Sequence, residues 1–173
     1  MRPSRHLALS CAAGGALWVT TGEPLALPIA VGAGVLIDVD HGPDLWWALA
    51  LQRKPTATFV FHAWEWLAGI LTFGLTGAFS WWLSAIIVGY GLHLVSDQAV
   101  NKGRIWSYSI LYRGVHRFQT TSLAPQWDFH STYNVLRKEL PPVARLTERW
   151  RRRSYRSDRA PDVDKRRWLR PKK

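Results

Sequence analysis

Four apolar stretches fill most of the first hundred residues, and they leave few architectures open. The first runs from Leu7 to about Thr20 and stops at Thr21-Gly-Glu-Pro24; the second runs from Leu25 to Ile37 and ends at Asp38. The third begins near Thr58 and continues to about Thr76, and after Gly77 the fourth continues to about Val95. The last two are long enough to cross a bilayer core of about 30 Å. The first two, at 14 and 13 residues, fit equally a re-entrant hairpin or helices shielded by the others. The expected fold class is all-α: an integral membrane bundle of about four helices.

Charge divides the 173-residue chain at the same place. Residues 1–100 carry four Lys and Arg against six Asp and Glu, a net of −2, while residues 101–173 carry 19 against six, a net of +13. A transmembrane helical domain (1–100), a membrane-surface segment (101–140) and a basic, flexible cytoplasmic extension (141–173) are therefore expected. Eleven Trp, with Trp46-Trp47 and Trp81-Trp82 in tandem and Trp64 near Trp66, suit a chain lying where lipid meets water. The single Cys11 excludes an internal disulfide framework and a Cys-based zinc site. The first stretch lacks a convincing cleavage site and apolar sequence resumes at once, so it reads as a retained helix rather than a signal peptide.

Basic residues set the orientation. Arg2 and Arg5 precede the first stretch, Arg53 and Lys54 follow the second, and the basic extension follows the fourth; the other two connections carry no Lys or Arg. By the positive-inside rule both termini and the 38–57 loop face the cytoplasm. Residues 105–118 could lie as a helix along the membrane surface. Pro141-Pro142 interrupts the chain, and 143–153 then places Leu146 and Trp150 on one face of a short basic helix, either interfacial or simply solvated.

Three clusters of ligating residues stand at the ends of these stretches: Asp38-Val-Asp40-His41, His62-Ala-Trp-Glu65 and His93-Leu-Val-Ser-Asp97. Spacings of three and four put His62 with Glu65, and His93 with Asp97, on single helix faces. In an extended or turning segment, Asp38 and Asp40 would point the same way. Each cluster alone has a plain explanation: a His93–Asp97 hydrogen bond, Glu65 paired with Arg53 or Lys54, or a solvated helix end at Asp38. The topology instead brings all three to one depth, at the cytoplasmic boundary, where ionisable groups are paired or functional. Asp38, Asp40, His41, His62, His93 and Asp97 are the expected ligands of one or two divalent ions, zinc or manganese. Glu65 is the expected general base. His6 is a weaker candidate, and His116 and His130 read as surface residues.

Gly34-Val-Leu-Ile-Asp-Val-Asp-His41 resembles the "G-x-L-L-P-D-I-D-H" segment of the bacterial membrane-bound metal-dependent hydrolases, the YdjM-type inner-membrane proteins. Gly89-Tyr-Gly-Leu-His-Leu-Val-Ser-Asp97 resembles their "G-Y-x-x-H-x-x-x-D" segment, and Arg5-His6-Leu7 their N-terminal "x-H-L". Where that family has "H-R-G-x-T-H-S", this chain has Phe61-His62-Ala-Trp-Glu65. The resemblance covers roughly residues 5–100 and implies an inner-membrane, metal-dependent hydrolase. A looser likeness in ligand pattern extends to zinc-dependent phospholipase C enzymes. Proximity to lipid head groups makes an anionic phosphate ester, lipid-like in its apolar part, the expected substrate, with Lys102 and Arg104 neutralising its charge. Membrane lipids are the expected partners, and no nucleic acid is expected because no binding motif is present. The rivals are a transporter or proton relay and a non-enzymatic membrane adaptor with a lipid-binding basic tail.

Overall fold

The computed structural model describes residues 3–44, 57–101, 106–123 and 137–146, together with 104, 134, 148 and 149. Among these residues the regular structure is helical, with no strand. Helix α1 spans Pro3–Thr21 and α2 spans Ala26–Val35. The chain then tightens into a 3-10 segment, Leu36–Asp40, before one more helical turn at 41–44. Helix α3 covers Trp64–Phe73 and runs into a π-type turn, Gly74–Ala78, broken at Gly77 where φ is +99°. Helix α4 covers Trp81–Val100, and its cap is Ser80, whose hydroxyl accepts from the Leu83 N–H. Two short helices follow, α5 (Ile110–Val115) and α6 (Thr120–Leu123).

Helices α1, α2 and α4 pack together along seams of period four. The buried positions are His6, Ser10 and Gly14 on α1, then Ala26, Ala30 and Gly34 on α2. On α4 the matching row is Ala85, Gly89, His93 and Asp97. Residues four apart share one helix face, so each row is a single contact stripe. Its small members let the backbones nearly touch. A Cβ on Gly89 would stand 2.2 Å from the Ala30 carbonyl oxygen, and one on Gly34 would stand 2.0 Å from Ser10 Oγ. Close approach over small residues gives tight packing without bulky side chains. The seams also change character along their length, from Gly14, Ala30 and Ala85 to Ser10, Gly34 and Gly89, and then to His6, His93 and Asp97.

The outside is apolar. Val19, Leu36, Val39 and Leu75 are each more than two-thirds exposed, and α3 buries none of its residues. One helix, α4, is long and apolar enough to cross a membrane by length and composition. Large apolar side chains gather inside at one place: Ile37, Tyr90, Leu94 and Tyr108 form a cluster with Phe59, Trp64 and Leu67 packed against it.

Several boundaries differ from the sequence expectation. The third helix starts at Trp64 rather than near Thr58, because 57–63 is held as an irregular segment by side chains from α4 and α5. Within 105–118, residues 106–108 form a turn and only Ile110–Val115 is helical. The Pro141-Pro142 pair opens a helical turn at 141–146, since proline is tolerated in a first turn where its missing N–H has no partner to lose. Trp46, Trp47, Arg53, Lys54, Lys102, His130, Trp150 and the arm 151–173 lie outside the described residues.

Candidate metal centre

The polar end of the seam meets the 3-10 segment and the irregular 57–63 segment. In a 3-10 helix, residues three apart eclipse, and residues two apart point about 120° away from each other. Asp38 and His41 therefore share a side, with Asp38 Oδ1 3.9 Å from His41 Nε2. Asp40 faces elsewhere, which corrects the expectation that Asp38 and Asp40 point the same way. Its Oδ1 lies 2.8 Å from His62 Nδ1, and its Oδ2 accepts from the Phe61 N–H at 2.6 Å. Asp40 thus orients His62 from behind, as carboxylates commonly do for ligating imidazoles.

His62 precedes α3 instead of sitting in its first turns. Ala63 is extended (φ −143°, ψ 133°), so the expected pairing of His62 and Glu65 on one helix face does not form. Glu65 Oε1 instead accepts from Ser109 Oγ at 2.5 Å and from the Leu111 N–H at 3.3 Å. It braces the start of α5, and its Oε2 is buried without a hydrogen bond.

Three imidazoles have their Nδ1 atoms committed in the same sense. His62 Nδ1 faces the Asp40 carboxylate, and His93 Nδ1 donates to the Gly34 carbonyl at 2.7 Å. His6 Nδ1 lies 3.4 Å from Ser96 Oγ, whose own hydroxyl donates to the His93 carbonyl at 2.9 Å. With Nδ1 as donor, a neutral ring presents a lone pair at Nε2. Those Nε2 atoms converge. His62 Nε2 and His93 Nε2 are 2.8 Å apart, with Asp38 Oδ1 at 3.4 and 3.5 Å from them. Asp97 Oδ1 lies 3.0 Å from His6 Nε2, and its Oδ2 lies 3.8 Å from His93 Nε2. His6 Nε2 is buried and makes no hydrogen bond; with the ring proton on Nδ1 it faces Asp97 Oδ1 acceptor to acceptor. The His6 and His93 rings stack with centroids 3.9 Å apart.

Lone pairs and carboxylate oxygens packed this closely repel unless a cation or a proton stands between them. Two four-residue sets bring their ligand atoms within 4.8 Å of one another: His6, Asp38, His93 and Asp97, and Asp38, His41, His62 and Asp97. Imidazole nitrogen with carboxylate oxygen is a donor set that suits zinc and other first-row divalent ions. Five of the six ligands expected from the sequence belong to these sets. Asp40 stands behind one of them, Glu65 belongs to neither, and His6 joins.

Side chains with no chemistry of their own hold the centre together. Arg113 is fully buried; its Nη1 donates to the Phe59 carbonyl, its Nη2 to the His62 carbonyl at 3.0 Å and its Nε to the Ser109 carbonyl at 3.3 Å. Its guanidinium lies 4.5 Å from the centroid of the Phe59 ring. Burial pulls its pKa down, while Asp40 and Glu65 oppose that fall. Tyr90 sets its hydroxyl among the Phe61 carbonyl, the Ala63 carbonyl at 2.8 Å and the Ala63 N–H at 3.3 Å. Tyr108 donates to Asp97 Oδ2 at 3.3 Å, and burial raises its pKa so that it stays a neutral donor. The sequence gives no sign of Arg113 or Tyr108, and Tyr90 stands in the Gly-Tyr-x-x-His segment with nothing there to mark it as a brace. His6 did leave a sign, since His6, Ser10 and Gly14 repeat at the seam spacing.

Arg104 is exposed, with Nη1 3.4 Å from the Tyr112 hydroxyl and its N–H donating to the Leu123 carbonyl. His116 packs against the Tyr112 ring with centroids 4.4 Å apart. No family model, curated protein or solved structure matches the chain.

Proposed function

We propose that this protein is a metal-dependent hydrolase of the bacterial inner membrane, akin to the YdjM-type proteins, with its site opening on the cytoplasmic side. The observation that carries the reading is the convergence of three Nδ1-committed imidazoles on two carboxylates, with His6 Nε2 buried and unbonded among them. The residues that would hold zinc or manganese are His6, Asp38, His41, His62, His93 and Asp97. A bound divalent ion supplies Lewis-acid polarisation of a phosphoryl or carbonyl oxygen and acidifies the water it carries. The chain's own contribution is alignment: Asp40 fixes the His62 ring, the Gly34 carbonyl fixes His93, and Ser96 fixes His6. The exposed apolar residues support a membrane setting, and the distribution of Lys and Arg supports cytoplasmic termini. The proposed substrate is a phosphate ester, lipid-like in its apolar part, because exposed Leu36, Val39, Val60 and Phe61 flank the ligating residues along the chain. Arg104 and Lys102 remain proposed contacts for its charge. Glu65, tied to the 109–111 turn, enters as a brace rather than a base.

The test is metal analysis of detergent-purified protein beside a His93→Ala variant, with hydrolysis of p-nitrophenyl phosphate and its diester followed in both. Stoichiometric divalent metal and turnover in the natural chain, both lost in the variant, are expected. A natural chain that binds no divalent metal overturns the reading. A proton relay is the second reading, favoured by the continuous contact of Asp40, His62 and His93; it requires titration of these groups without a stable ion.

A further inference from the structure

We infer that the centre holds two divalent ions that share Asp38 and Asp97, and that His6 of α1 is a ligand of the inner one. The inference rests on the metal-binding part of the reading above and adds the number, the places and the ligands of the ions. The inner position lies between His6 and His93, and the outer one between His41 and His62. Each set of four ligand atoms fits within 4.8 Å, and the two sets have Asp38 and Asp97 in common.

Three observations support a pair over a single ion. Four imidazoles and two carboxylates exceed the four places that zinc takes in most protein sites. Asp38 also faces rings of both sets, its Oδ1 lying within 3.9 Å of His41, His62 and His93, while Asp97 directs Oδ1 to His6 and Oδ2 to His93 and has a ligand atom within 4.8 Å of those of the outer set. A carboxylate that faces rings of both sets is placed to bridge. Finally, His6 Nε2 is an orphaned acceptor in a residue only 2% exposed, aimed at Asp97. A buried polar atom left without a partner carries a desolvation penalty, and a cation beside Asp97 removes it.

The pair also explains how an anionic substrate could be met where Arg113, the buried cation beside the centre, is engaged by backbone carbonyls. With Asp40 behind His62 counted, two divalent ions against three carboxylates leave a net positive site, whereas one ion leaves a net negative one. The environments differ as well. His6, His93 and Asp97 are sealed in the seam, while the His41 side chain is about one-third exposed. The inner ion should therefore exchange slowly and the outer one quickly.

The experiment uses the full chain in detergent, loaded with Mn²⁺ alone and freed of excess metal. Two ions per chain are expected in the natural protein, and one in each of His6→Gln and His41→Gln. One ion in the natural chain overturns the pair but leaves the hydrolase reading standing; none overturns both. Two ions in His6→Gln would remove His6 from the ligand set. Electron paramagnetic resonance of the natural Mn²⁺ protein needs no variant to fold: an exchange-coupled spectrum supports shared carboxylates, and two independent six-line signals refute them.

Discussion

The two halves of the metal centre are built in different ways. His6, His93 and Asp97 ride on long helices whose glycines let α1, α2 and α4 lock together, so helix packing sets the positions of their backbones. His62 rides on a segment without regular structure. It is held there by side chains that reach its backbone: Arg113 on the carbonyls of Phe59 and His62, and Tyr90 on those of Phe61 and Ala63. A packed seam fails all at once, when its spacing is lost. A tethered segment fails one bond at a time, and ligands placed by the seam should survive that failure.

Substitutions at the two halves can break this contrast. Gly89→Leu should have the largest effect, because its Cβ alone would fall 2.2 Å from a backbone oxygen that cannot move aside. Overpacking of this kind costs about 3 kcal/mol or more, and thermal unfolding in detergent should show loss of the folded bundle. Arg113→Met should instead preserve helicity by circular dichroism while stranding two buried carbonyls, at about 1–3 kcal/mol each. Ions dependent on His62 should be lost, and those on His6 and His93 retained. Loss of helicity in this variant would mean that the two halves are one cooperative unit.

Asp40→Asn should act more mildly, since it leaves every ligand in place and weakens only the orientation of His62. Metal affinity should fall about 10- to 100-fold, the range typical of such supporting partners, as read by competition with a chelating dye. Glu65→Gln should be the smallest, retaining full metal content and most of any turnover, because its amide oxygen can still accept from Ser109 and Leu111. Metal retained with turnover abolished would restore Glu65 to the role of base.

The same contrast decides how much could be read beforehand. His93 and Asp97 lie four apart on a long apolar helix, and that periodicity survives folding because neighbours only reinforce it. The all-helical class follows from the same pattern. For 38–41 the sequence suggests an extended or turning segment with Asp38 and Asp40 on one side, but it winds as a 3-10 turn, which sends the two carboxylates apart. His62 was read into a helix that starts two residues later. Long-range tethers from Tyr90, 28 positions onward, and from Arg113, 51 onward, pulled it out, and such contacts leave no local periodicity. His6 reads as the weaker candidate because a histidine at the start of the first helix is as readily a solvated flanking residue; its burial depends on the small-residue seam with α2 and α4.

The 2.8 Å contact between His62 Nε2 and His93 Nε2 has a further consequence in proton linkage. With both Nδ1 atoms donating elsewhere, two lone pairs facing each other at this distance need a cation or, in its place, a proton between them. An incoming ion must displace that proton, so metal uptake and acidity are coupled by the geometry itself. Below the pH at which the shared proton is held, apparent affinity should fall by up to about tenfold per pH unit for one proton released. Acidification would empty the site before it unfolded the seam.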